Sequence, residues 1–479
     1  MAKKSIKKNY IFNTCYQILT LLTPLITTPY ISRVLGADGI GVVSYAESIV
    51  SYFVIFATLG IFTYGQREIS YVQDSKRERS IVFWNTKLLQ FFTSALVLCV
   101  YVAYLFITRA SILYFILAVN ILAVAVDVTW FFQGMEEFGK TVFRNILFKV
   151  LNIAYVFLVI KTKEDVLWYA FGLAIFTFLS NLSLWGYLPK YIQKISIKEL
   201  KPFSALPVVL TLFVPTIAIQ VYTVLDKTMI GIITGSSFEN GYYEQALKIS
   251  RMVLMLVASL GTVMIPRIGY HFQKGDNEEV KRLMYRGYRF VWFLGVPLCF
   301  GLISVADNMV PWFFGDGFDT VAVLLKILAF IILAIGINNV TGLQYLIPTK
   351  RQNTFTLTVI IGATTNFLLN MVLIRNFQAV GAAIASVTAE TVIAIVQLLI
   401  VRKELSPWRL IKEGIHYYIA GGIMLIALFF EGRFLSPSIV HTGIMVLTGA
   451  MLYFVVLLIL RDEFLFSNMK TVLGRFKKG

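Results

Sequence analysis

Residues 241–252 read GYYEQALKISRM and run directly into the apolar stretch VLMLVASLGTVMIP. Glu244, Lys248 and Arg251 fall at i, i+4 and i+7, so one helix face carries all three. One acid does not balance two cations. A surplus positive charge facing a cavity suits an anionic guest, and a guanidinium suits phosphate because it donates two parallel hydrogen bonds. The competing reading is internal pairing of Glu244 with Lys248. Further ionisable residues interrupt other apolar stretches: Glu47, Asp127, Asp226, Lys227, Lys326 and Glu390. A charge at mid-span costs roughly 2.5–3.5 kcal/mol on insertion, so each is expected to meet a cavity or a partner. These residues are candidates for cavity lining or for coupling to H+ or Na+, with structural roles equally open for Asp127, Lys326 and Glu390. Arg67 and Lys87 are candidates for an inner mouth, with snorkelling to the interface as the alternative.

The elements that carry these charges are membrane spans. The chain has 479 residues, of which 58% are hydrophobic and 14% charged. Soluble domains average about 25% charged residues, so this chain has too few to coat a water-facing surface. Apolar stretches of spanning length recur throughout. The pattern predicts an all-α polytopic membrane protein with about 14 transmembrane helices. They fall near 10–32, 40–66, 81–108, 111–132, 141–160, 166–187, 203–233, 240–266, 288–310, 320–346, 353–374, 380–401, 415–430 and 438–460.

An even span number puts both termini on one side. With the N-terminus inside, 31 of the 43 Lys and Arg residues fall in inner loops and tails. That bias orients the chain with both termini cytoplasmic. It also accounts for the net charge of +17 through anionic membrane lipids, without nucleic acid. The basic N-terminal segment MAKKSIKKNYIF has no small-residue cleavage site after it and reads as the start of a retained first span. Inner loops near 188–202 and 267–287 and the tail FSNMKTVLGRFKKG read as basic surface helices.

Several functions are excluded. Cys15, Cys99 and Cys299 stand singly, and His271, His416 and His441 lack partners at ligand spacing, so no metal site is expected. Residues 134–141, GMEEFGKT, match the phosphate-loop pattern. That motif needs a strand before it in a soluble α/β domain, whereas here ILAVAVDVTWFF precedes it. No nucleotide is expected. The outer loops, such as GSSFEN, are too short to hold an enzyme's catalytic residues.

GVVSYAESI at 41–49 and GYYEQALKI at 241–249 match at Gly41/Gly241, Ala46/Ala246 and Ile49/Ile249, and each runs on to an LG pair, Leu59-Gly60 and Leu260-Gly261. Both copies open inward-running spans, the second and the eighth. This predicts two six-helix bundles related by a parallel pseudo-twofold repeat, with two extra C-terminal helices. The corresponding domains are 1–188, then 189–402 with an amphipathic linker, then 403–479 with the basic tail.

Three stretches carry a family resemblance: PLITTPYISRVLGADGIGVVSYAESIVSYF with LGIFTYGQREIS, WFFQGMEEFGK, and LDKTMIG with GYYEQALKI. They resemble the bacterial polysaccharide flippases, the Wzx-like members of the polysaccharide transporter family. The resemblance covers nearly the whole chain. It implies membership of the superfamily that includes multidrug antiporters and the peptidoglycan-precursor flippase. It also implies a lipid-linked oligosaccharide substrate, a repeat unit on undecaprenyl pyrophosphate, moved from the inner to the outer leaflet of the bacterial cytoplasmic membrane. Polysaccharide polymerase machinery is the implied partner. The peptidoglycan-precursor branch carries arginines in its first, second and eighth spans. Here Tyr10 to Ser32 and Ile40 to Gln66 contain no Lys or Arg, so only Lys248 and Arg251 carry over, as the pyrophosphate site. The alternative is a cation-coupled multidrug exporter of the same superfamily, which surplus internal cations disfavour.

Overall fold

The computed structural model describes residues 6–259 and 261–467; the side chains of 6–18, 214–216, 218–219, 221–222 and 262–263 lie outside that description. Among the described residues every regular element is helical. The tail from 468, which the sequence reads as a surface helix, and Leu260 of the repeat lie outside the described residues. Two compact units divide at Gly231 and Ile232.

The first unit contains α1 (Ile6–Thr58), α2 (Ile61–Tyr71), α3 (Lys76–Thr108), α4 (Ile112–Leu117), α5 (Val119–Val126), α6 (Thr129–Gly134), α7 (Phe138–Val159), α8 (Val166–Ser183) and most of α9 (Leu206–Thr234). Helix α1 is two helices joined at Gly36, whose φ of 68° lies in the left-handed region open to glycine. This break falls in the loop expected between the first two spans. In lipid, helices associate mainly through close packing, so small residues sit where rings approach. A Cβ on Gly65 would lie 2.5 Å from the Trp130 ring. Trp130, Phe131, Phe132 and Phe83 form a buried aromatic cluster there with Leu184 and Leu188.

The second unit contains α10 (Ser237–Ala258), α11 (Gly261–Gln273), α12 (Asn277–Phe314), α13 (Asp319–Leu328), α14 (Phe330–Asn338), a π-helical segment (Asn339–Leu346), α15 (Gln352–Val401), α16 (Pro407–Gly432) and α17 (Ile439–Ile459). Helix α15 is also two helices, broken at Gln378 with φ 52°. The Glu239 carboxylate accepts from the Ala379 N–H at 2.9 Å and caps the helix that restarts there. Gly414 and Gly421 on α16 face Trp292 and Val296 of α12, which lets these helices pack closely.

Ten helical segments among the described residues are long and apolar enough to cross a membrane. The segments Leu19–Tyr71 and Gln352–Val401 contain the two breaks. Helix α10 carries Glu239, Glu244, Lys248 and Arg251 and is too charged to belong to the ten. The expected surface helix near 188–202 is replaced by short 3-10 turns, Leu184–Lys190, Ile197–Glu199 and Pro202–Ala205. Pro189 and Pro202 remove amide donors and prevent a continuous helix.

Candidate functional site

The site in the first unit is built on a broken helix. Asp127 and Val128 leave helical geometry between α5 and α6. Such a break frees backbone carbonyls that lipid cannot satisfy. Four side chains supply donors. Asn181 Nδ2 donates to the Ala123 carbonyl at 3.0 Å, and Gln90 Nε2 to Val124 at 2.7 Å. Trp185 Nε1 donates to Val126 at 2.7 Å, and Lys87 Nζ to Asp127 at 2.9 Å. The Asp127 carboxylate turns the other way and accepts from the Thr129 N–H at 2.8 Å, at the start of α6.

Lys87 is wholly buried. Its ammonium also donates to Gln90 Oε1 at 3.1 Å and lies 4.8 Å and 5.3 Å from the Phe91 and Trp185 ring centres. Arg144 braces the far side, donating to Thr129 Oγ1 at 3.1 Å and Asn181 Oδ1 at 3.3 Å.

Beside this break lies a cavity of about 370 Å³. Helix α1 lines it with Glu47, Ser48, Ser51, Val54 and Thr58; α3 contributes Gln90. Asn120, Val124, Asp127 and Trp130 come from the broken span, Thr177 and Asn181 from α8, and Val224 and Lys227 from α9. Thr228 Oγ1 donates to Ser48 Oγ at 3.0 Å and ties α9 to α1.

The structure therefore gathers Glu47, Asp127 and Lys227 around one cavity. Asp226 is buried next to Lys227 in the chain, and Lys87 lies inside the wall rather than at a mouth. Arg67 pairs with Glu68 at 2.9 Å on a half-exposed surface.

The second unit holds the remaining candidates. Lys248 Nζ is 3.9 Å from Glu244 Oε1 and 3.5 Å from Gln245 Oε1. Arg251 is exposed one turn further along α10. Lys326 pairs with Asp307 at 2.6 Å. Glu390 is buried and accepts from Asn338 Nδ2 at 2.6 Å. A larger cleft of about 1170 Å³ in this unit has extensively ion-paired walls, including Lys281–Glu278 at 2.8 Å and Arg282–Glu279 at 2.6 Å.

Sequence reasoning passed over Gln90, Asn120 and Asn181. Their signal is an amide interrupting an apolar run, as in ILAVNILAVAV around Asn120.

The sequence profile of a family described as "Polysaccharide biosynthesis protein" matches residues 6–271. The chain is 23% identical over 412 residues to the "Putative O-antigen transporter" of Escherichia coli K12, covering 84% of this chain and 97% of that one. It is 26% identical over 251 residues to the "Probable flippase AglR" of Haloferax volcanii, covering 51% of each chain. In fold it resembles the lipid II flippase MurJ in an inward closed conformation, with TM-score 0.72, 18% identity, and coverage of 95% of this chain and 99% of that one. It also resembles an inward-facing multidrug transporter of the MATE family, with TM-score 0.62, 12% identity, and coverage of 86% and 95%.

Proposed function

Because this chain belongs to the polysaccharide biosynthesis protein family, we propose that it is a flippase for lipid-linked oligosaccharides. The observation that carries the reading is a cavity lined by amides, hydroxyls and charges of both signs inside a membrane-spanning unit. Polar and ionisable side chains facing a cavity at membrane depth mark a substrate or ion path by default. The relatives named as transporter and flippase support transport rather than catalysis.

In this reading fourteen spans cross the bacterial cytoplasmic membrane with both termini inside. The substrate is a repeat unit on undecaprenyl pyrophosphate. Lys248 and Arg251 hold the pyrophosphate while the lipid tail stays in the bilayer, and alternating access carries the head group outward. An interior-negative potential favours outward movement of the anion by roughly 2.3 kcal/mol per charge per 100 mV. Exchange of H+ or Na+ at Glu47, Asp226 or Glu390 adds to that drive. Polysaccharide polymerase machinery receives the product.

The deciding experiment measures lipid-linked glycan in a deletion strain. Undecaprenyl-linked repeat units should accumulate on the inner leaflet and clear when the wild-type chain is restored. Lys248→Ala and Arg251→Ala should fail to clear them at normal protein levels. Unchanged glycan levels together with new drug susceptibility would replace this reading with a multidrug exporter. Full clearance by the double variant would remove the pyrophosphate role.

A further inference from the structure

The cavity of the first unit is rich in acceptors. Ser51 Oγ donates to the Glu47 carbonyl at 2.7 Å, Thr58 Oγ1 to Val54 at 2.8 Å, and Thr177 Oγ1 to Leu173 at 2.8 Å. Each hydroxyl has spent its single proton on its own helix, so its oxygen has lone pairs left for a guest. The Glu47 and Asp127 carboxylates add only acceptors. Asn120, on the same wall, offers both a carbonyl and an amine.

A guest for this lining must bring hydrogen-bond donors. An ionised pyrophosphate brings only acceptors and would meet two carboxylates. A simple cation exchanged at Glu47 would fill only a small part of about 370 Å³ and leaves room for a larger guest. A sugar ring brings several O–H donors and apolar C–H faces, which suit the Val54, Ile61 and Phe62 side of the cavity. The volume is near the small end of ligand pockets, which run from about 300 to 1,000 Å³, so it holds a part of a long substrate.

We propose that this cavity is a saccharide subsite that reads uncharged sugar hydroxyls of the substrate and excludes its phosphates. The subsite rests on the flippase reading and divides the work. Sugar recognition belongs to the first unit, and phosphate recognition to the cations of α10 in the second.

The test uses the full-length chain in proteoliposomes with two fluorescent probes. One is undecaprenyl pyrophosphate bearing N-acetylglucosamine, and the other is undecaprenyl pyrophosphate without sugar. The readout is the ratio of their flipping rates. Asn120→Leu should lower that ratio by about tenfold, the effect of losing one well-formed hydrogen bond. Thr177→Val, which keeps the side chain's shape and removes an acceptor, should lower it in the same direction and guards against misfolding of the first variant. An unchanged ratio in both variants overturns the subsite and leaves the flippase reading standing. A wild-type chain that flips neither probe overturns the flippase reading, and the subsite with it. A ratio that falls equally in Lys248→Ala would show that sugar selection is not a property of this cavity and also overturns the proposal.

Discussion

Replacing Lys87 with Met isolates what holds the broken fourth span. Methionine keeps most of the length and volume of the lysine stem, so little cavity is created. The ammonium's bonds to the Asp127 carbonyl, 2.9 Å, and Gln90 Oε1, 3.1 Å, are lost together. Gln90 Oε1 keeps a donor, because Trp130 Nε1 lies 3.3 Å away. The Asp127 carbonyl loses the side-chain donor described for it. A buried carbonyl left unpaired costs about 1–3 kcal/mol. Loss of the ring contacts adds up to about 2 kcal/mol for a desolvated cation. Against both stands relief from burying the ammonium, worth several kcal/mol. The ring contacts and the ammonium's two charge-assisted hydrogen bonds, about 1.5–3 kcal/mol each, together offset that relief, which leaves the orphaned carbonyl as the net effect, about 1–3 kcal/mol of destabilisation.

For a unit of this size each kcal/mol lowers the melting temperature by about 2–4 °C, so Lys87→Met should lose about 2–12 °C. Tryptophan fluorescence during thermal unfolding in detergent reads this directly, since Trp130 and Trp185 border the site. A double-mutant cycle with Gln90→Leu should give a coupling of about 0.5–3 kcal/mol, because the two side chains are bonded. A Lys87→Met protein as stable as wild type, with no coupling to Gln90, would mean that the break does not depend on this lysine.

Three other outcomes follow from local geometry. Gly381→Ala would place a Cβ 2.2 Å from the Leu373 carbonyl oxygen, a backbone clash expected to cost about 1–3 kcal/mol or more; size-exclusion profiles and melting curves should show loss of folded protein. Gly65→Ala pushes on the Trp130 ring 2.5 Å away, so tryptophan emission should shift and glycan export fall, because that ring lines the cavity. Asp462 is buried, which raises its carboxyl pKa, but hydrogen bonds from His416 at 2.9 Å, the Leu465 N–H at 2.7 Å and Tyr417 at 2.9 Å outweigh burial and hold it below the ordinary value. The stability this contributes is present above the ordinary carboxylate pKa and is lost as pH falls through the lowered one. Asp462→Asn should therefore melt lower than wild type near neutral pH, with the gap closing under acid.

The parts of the fold that were readable from sequence share one physical cause. A membrane forces apolar length onto each span and makes every exception costly, so helices, their approximate limits and the misplaced charges all stand out. Gly36, in RVLGADG, also announces its turn. The break at Asp127 does not, because VAVDVTW contains neither glycine nor proline. Its stability comes from elsewhere in the chain: Lys87 and Gln90 on α3, and Asn181 and Trp185 more than fifty residues later. Propensity at 119–134 carries no trace of those four donors. The same distance explains Lys87. Sequence depth alone makes a snorkelling cation reasonable, and only the freed carbonyl and two aromatic rings provide a reason to bury it. Two sets among the charges flagged at mid-span then contrast. Lys326 meets an acid at an exposed surface, whereas Glu47, Asp127 and Lys227 surround open volume. An ion pair explains the first by itself. The second group borders open volume inside a membrane-spanning unit, and that is the physical reason to look for a guest there.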